Sequence, residues 1–208
     1  MARPAAPRLA GPAPDRAALH RAALAFLAKF AATEAGLVRV LDRRIARWAR
    51  QAAGQGAEVG PGLTAARHAA RQVAQALAGS GVVDDAAFAA ARARSLTRAG
   101  RSRRAVAAHL AAKGVAPPLV EAALPDPDQD LATALAYARR RRLGPFRTDP
   151  PGTDSPDDAA GSGTPARREL GAMARAGFPQ AVAERALRMA PDEAQALVTR
   201  LKQGGACP

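Results

Sequence analysis

The chain has 208 residues, 31 of them basic and 18 acidic, for a net charge of +13. A hydrophobic fraction of 48% excludes disorder by composition, while an aromatic share of 3% and the abundance of alanine exclude one thick core and point to helices with thin interfaces. The single cysteine, Cys207, excludes an intrachain disulfide framework and fits a reducing cytoplasm.

Residues 1–15 are rich in Pro, Ala and Arg without periodicity, and are expected to be a disordered tail with no signal-peptide core. From Ala17, a stripe of Leu19, Ala23, Phe26, Leu27 and Phe30 has helical spacing. Thr33 is the expected N-cap of a second helix, with Leu37 or Val38, Leu41, Ile45 and Trp48 inside and arginines around the rest. Residues 54–62 read as a loop, and Thr64 as the cap of a third helix carrying Ala66, Ala70, Val73 and Leu77. Glycines at 79 and 81 stop it.

The central stretch, Asp84 to Leu124, predicts three helices joined by two Gly-marked turns. Asp84 caps the first, with Phe88, Ala91 and Ser95 on one face, and Gly100 ends it. Ser102 caps the second, whose inner residues are Val106 and Leu110, and Gly114 ends that one. Pro117 opens the third, seated by Val120 and Leu124. Six arginines lie between Arg92 and Arg104, with no acidic residue from Ala86 to Val120.

After PDPDQD (125–130) comes a helix with Leu131, Leu135 and Ala138 inside, ending in Arg139 to Arg142 and broken by GPF at 144–146. Residues 147–163 read as a flexible acidic insertion. A helix with Leu170 and Met173 inside follows Thr164-Pro165 and stops at Gly177. Phe178 leads into another through Val182 and Leu187, and Asp192 to Lys202 predicts a last short helix.

SRRAVAAHLAAKGVAPPLVEAAL and PARRELGAMARAGFPQAVAERAL align, pairing Gly114 with Gly177, Val115 with Phe178, Leu110 with Met173 and Leu124 with Leu187. Thr33, Leu37 and Leu41 share the spacing of Ser102, Val106 and Leu110. The expected fold is therefore all-α: three tandem three-helix repeats (16–81, 82–124 and 125–190) in an elongated, curved row, with 191–208 a short helix and tail.

No Walker A loop or dinucleotide fingerprint is present, and His20, His68 and His109 are too far apart for ligand spacing. The aspartates of the acidic stretch match no EF-hand, and they read as a solvated linker. No enzyme, cofactor, metal, small-molecule substrate or membrane span is expected. The basic excess points to polyanions. Arg94 and Arg98 are neighbours on one helix face, and Arg101, Arg103 and Arg104 surround a turn and a helix N-terminus. Together with Lys113, Arg139 and Arg140 they are the candidate contacts to non-specific nucleic-acid backbone, single- or double-stranded, or to protein carboxylates; a solvated helix face is the bland alternative.

In the central stretch Asp84, Asp85, Phe88, Ala89, Arg94, Gly100, Ser102, Val106, Leu110, Lys113, Gly114 and Val115 stand in the register D-D-x-x-F-A, Arg, G-x-[GS], Val, Leu, K-G-[IV], and there the chain resembles the RecX family of bacterial recombination regulators. More loosely, the likeness spans residues 17 to 190. Arg92 stands where such proteins usually have an apolar residue and His109 where an acidic one is frequent. The resemblance implies a cytoplasmic regulator that lies along the RecA–DNA filament and lowers its ATPase, strand-exchange and coprotease activities. A helix-turn-helix protein acting directly on duplex DNA is the alternative.

Overall fold

The computed structural model describes residues 11–126, 129–147 and 164–203. The described residues are all-helical, with ten α-helices, one 3₁₀ turn and no strand. The acidic stretch at 148–163, most of the N-terminal tail and Cys207 lie outside the described residues. Two compact units result.

The first unit contains α1 (Arg16–Leu27), α2 (Glu34–Ala53) and α3 (Gly60–Gly79). Asp15 caps α1 by accepting from the Ala18 amide at 2.7 Å, and Thr33 caps α2 by accepting from Gly36 at 2.9 Å. Leu19 and Ala23 of α1, Leu37, Leu41 and Ile45 of α2, and Ala66, Ala70, Val73 and Leu77 of α3 form one core. Fully burying each of the larger side chains contributes roughly 1.5–3 kcal/mol. Val38 is only partly buried against this core. Phe30 departs from the expected stripe: α1 ends at Leu27, and the ring is 58% exposed beyond it, stacked at 5.2 Å from Phe26. Thr64 is no cap, because α3 starts earlier, at Gly60 and Pro61, and the Thr64 hydroxyl donates back to the Gly60 carbonyl at 3.2 Å. Proline's fixed φ suits the first turn, and this starts the helix before the hydroxyl is reached.

The first unit also holds the start of α4 and the turn Lys113–Val115. Asp85, at the start of α4, accepts from the Glu34 amide at 2.8 Å. The Thr33 hydroxyl, besides capping α2, donates to the Lys113 carbonyl at 2.6 Å, and Arg39 Nη2 donates to the same oxygen at 2.7 Å. Gly114, at φ 82°, lies so close to α2 that an added Cβ would meet the Ala35 Cβ at 2.5 Å. No other residue fits there without strain or displacement.

The second unit contains the rest of α4 (Asp85–Arg98), then α5 (Arg103–Ala112), α6 (Pro117–Ala123), α7 (Asp130–Arg141), the 3₁₀ turn Gly144–Phe146, α8 (Pro165–Arg175), α9 (Gln180–Arg188) and α10 (Pro191–Gln203). Leu135 of α7, Met173 of α8, Phe178, Ala183 and Ala186 around α9, and Ala194 and Val198 of α10 form its core. The inner face of α4 is Ala89, Ala93 and Thr97, not the expected one: Ala91 and Ser95 are exposed and Phe88 is half-buried. Alanine occupies every face of this helix, so the apolar pattern carries almost no phase information. Val106 and Leu110 of α5 are fully buried as expected, while Val120 and Leu124 are half-buried.

Around Gly177 the arrangement seen at Gly114 recurs. The Ser102 hydroxyl accepts from the Ala105 amide at 3.2 Å and donates to the Ala176 carbonyl at 2.7 Å. Gly177, at φ 85°, would place a Cβ 2.9 Å from that hydroxyl oxygen.

Candidate nucleic-acid interface

Arg101 follows Gly100, whose backbone lies against α7: a Cβ on Gly100 would stand 2.7 Å from the Tyr137 backbone nitrogen. That approach brings Arg101 beside the arginine-rich end of α7. Arg140 is fixed there from two sides: it donates to the Ala99 carbonyl at 2.8 Å and its guanidinium sits 5.6 Å from the Tyr137 ring centroid. Arg141, and Arg175 from the last turn of α8, complete the lining of one open cavity of about 770 Å³, with Tyr137 and Ala172. None of the described residues that line it is acidic.

Four guanidinium groups around one concavity raise the local potential for anions, and their planar forks match phosphate oxygens. The ion pairs among the described residues lie elsewhere, at Arg103–Glu121, Arg147–Glu169 and Arg188–Glu184. None of these pairs involves an arginine of the cavity.

The other candidates are dispersed. Arg103 is half-buried, donating to the Pro125 carbonyl at 2.6 Å and to Glu121 at 2.5 Å, so it holds the segment after α6 in place. Arg104 is exposed, and with Arg103 it lines a second cavity that also contains Asp130 and Phe178. Arg94 and Arg98 line a third, apolar one. Lys113 lies in the first unit, exposed, with its carbonyl engaged as described. Arg139 is half-buried on α7.

Of the eight residues expected from the sequence, the structure thus gathers Arg101 and Arg140 in one cavity and adds Arg141, Arg175 and Tyr137. Arg141 was visible as part of the four-arginine helix end. Arg175 carried no signal of its own, since α8 reaches this place through its packing on α9, which packs on α7. Arg92 and His109, the two departures from the family pattern, meet each other: the Arg92 Nε donates to His109 Nε2 at 3.1 Å. The Arg92 charge is thereby tied to the α5 face.

Asp130 is 9% exposed, with one carboxylate oxygen lacking a hydrogen-bond partner among the described residues. Burial pushes its pKa above the ordinary value, opposed by a hydrogen bond from the Arg103 backbone and by the Arg103 charge.

Fold and site together define a basic, all-helical protein with Gly-turned helices and an arginine-lined cavity. Residues 84–124 match the family model described as "RecX, second three-helix domain". The chain is 34% identical over 176 residues to the "Regulatory protein RecX" of Myxococcus xanthus, covering 83% of this chain and 86% of that protein. It is 33% identical over 117 residues to the protein of the same name from Agrobacterium fabrum, covering 56% and 58%. No solved structure matches. The chain belongs to the RecX family of regulatory proteins.

Proposed function

We propose that the protein acts by binding, not catalysis: it engages the RecA–DNA filament in the cytoplasm and modulates, mainly inhibits, its ATPase, strand-exchange and coprotease activities in DNA repair, recombination and the SOS response. Family membership over 83% of the chain carries this reading. Three-helix repeats at 16–81, 82–124 and 125–190 are the matching organisation, supported by the like hydrogen bonds at Lys113 and Ala176. The Arg101–Arg140–Arg141–Arg175 cavity is the proposed contact to backbone phosphate, because it concentrates positive charge with no carboxylate among its described lining residues.

The test adds the purified protein to RecA filaments on single-stranded DNA with ATP, where stoichiometric protein lowers ATPase and strand exchange. Unchanged rates sink the reading. A sequence-specific footprint on bare duplex favours direct helix-turn-helix binding instead. Changing Arg101, Arg141 and Arg175 to Ala is expected to flatten the salt dependence of single-strand binding by about 0.7 per lost phosphate contact, roughly 2 in all. Helicity stays intact, since these three side chains are exposed.

A further inference from the structure

We propose that a groove in the second unit, walled by the last turns of α4 and α10, takes an amphipathic acidic helix from a protein partner. The groove has a volume of about 580 Å³, within the ~300–1,000 Å³ typical of binding sites. Its apolar lining includes Leu124, Pro125, Leu197 and Leu201. Arg94 and Arg98 come from α4 and Arg200 from α10, and none of the described residues that line it is acidic.

A second observation points the same way. Thr97 lines the groove, is 5% exposed, and its hydroxyl has no hydrogen-bond partner among the described residues. An unmet buried hydroxyl is costly, and native structures rarely keep one without a reason. It sits one helical turn from Arg94 and Ala93, at the join of the apolar and basic linings.

Chemistry selects the occupant. An apolar lining between two helices suits the apolar stripe of a third helix. Arginines around it select carboxylates flanking that stripe, with their planar forks as bidentate partners. A nucleic-acid strand would leave the leucines against charged backbone. The inference does not rest on the filament reading, and its test needs no recombinase.

The probe is a labelled synthetic helix of roughly fifteen residues, with leucines at i, i+3, i+4 and i+7 and glutamates beside them. Fluorescence anisotropy with the full chain is expected to show saturable binding. Arg94→Glu with Arg200→Glu, both exposed and so compatible with folding, is expected to weaken it about tenfold or more. Thr97→Val is expected to raise the melting temperature of the free protein and to weaken the peptide about fivefold. Arg101→Glu with Arg175→Glu, outside the groove, leaves affinity in place. The inference falls if the peptide does not bind, if the groove variants bind it normally, or if both charge-reversed pairs lose it equally. It falls too if an oligothymidylate binds in its stead and loses affinity in the Arg94/Arg200 variant. If filament regulation survives such a failure, only the groove assignment is lost.

Discussion

Two turns of this molecule are built alike and differ in how they are held. At Lys113–Gly114 the carbonyl before the glycine receives two donors, the Thr33 hydroxyl and the Arg39 guanidinium. At Ala176–Gly177 it receives one from the described residues, the Ser102 hydroxyl. In both, the hydroxyl that caps a helix also binds a carbonyl far along the chain, 80 residues away in the first case and 74 in the second. Both hydroxyls belong to residues 1% exposed, so neither is replaced by water. Among the described residues, the first turn has a reserve donor and the second does not.

The glycines give the largest expected effects. Gly114→Ala forces a side chain into the left-handed region and against the Ala35 Cβ, with an expected cost of about 3 kcal/mol. Gly177→Ala has the same backbone strain with a milder overlap, 2.9 Å from the Ser102 oxygen against 2.5 Å at Ala35, and about 2 kcal/mol is expected. Urea unfolding of both variants measures the gap; equal losses would show that crowding at Ala35 is relieved by a shift of α2.

Next come the hydroxyls. Ser102→Ala removes a cap and leaves the Ala176 carbonyl without its donor, for an expected loss of about 2 kcal/mol. Thr33→Ala removes a cap while Arg39 still serves Lys113, so the loss is about 1 kcal/mol. Adding Arg39→Ala to Thr33→Ala is expected to cost more than the two single changes summed. Simple additivity in that double-mutant cycle would mean Arg39 is no reserve.

The smallest expected effect is a pH dependence confined to the second turn's surroundings. Asp130 lines a cavity with Gly177 and Phe178. Its pKa is raised in the folded state by burial, so the fold binds this proton more tightly than the unfolded chain does. The contribution is fully present below the ordinary value of 3.8 and is lost as pH rises through the raised value. Asp130→Asn keeps an acceptor for the Arg103 backbone and removes the charge. The variant's stability advantage over the parent is expected to grow with pH across that window. A constant difference would assign the effect to packing.

Legibility in the sequence followed the size and polarity of particular residues. Thr33, Asp84 and Ser102 declared themselves as caps because a short oxygen side chain before a helix has few other uses, and Gly114 and Gly177 marked their turns because only glycine is at ease there. Leu37, Leu41, Ile45, Val106 and Leu110 announced their burial by spacing. The face of α4 stayed hidden, since its alanines point every way. Of the arginine-lined cavity, the arginine run at the end of α7 was plain, and Arg101 stood out beside Gly100. Arg175 and Tyr137 were silent.

The sequence by itself determined the helices, most of their caps and stops, the excess of positive charge and the family. Those properties arise from neighbours along the chain, where a cap bonds two or three residues on and a stripe repeats every turn. Tertiary structure alone decided that the capping hydroxyls of Thr33 and Ser102 reach carbonyls at 113 and 176, that Arg92 meets His109, and that arginines from the α4–α5 turn, α7 and α8 share one concavity. Such pairings depend on how helices approach in space, and alanine-rich faces allow several approaches until glycines like Gly100 permit the closest.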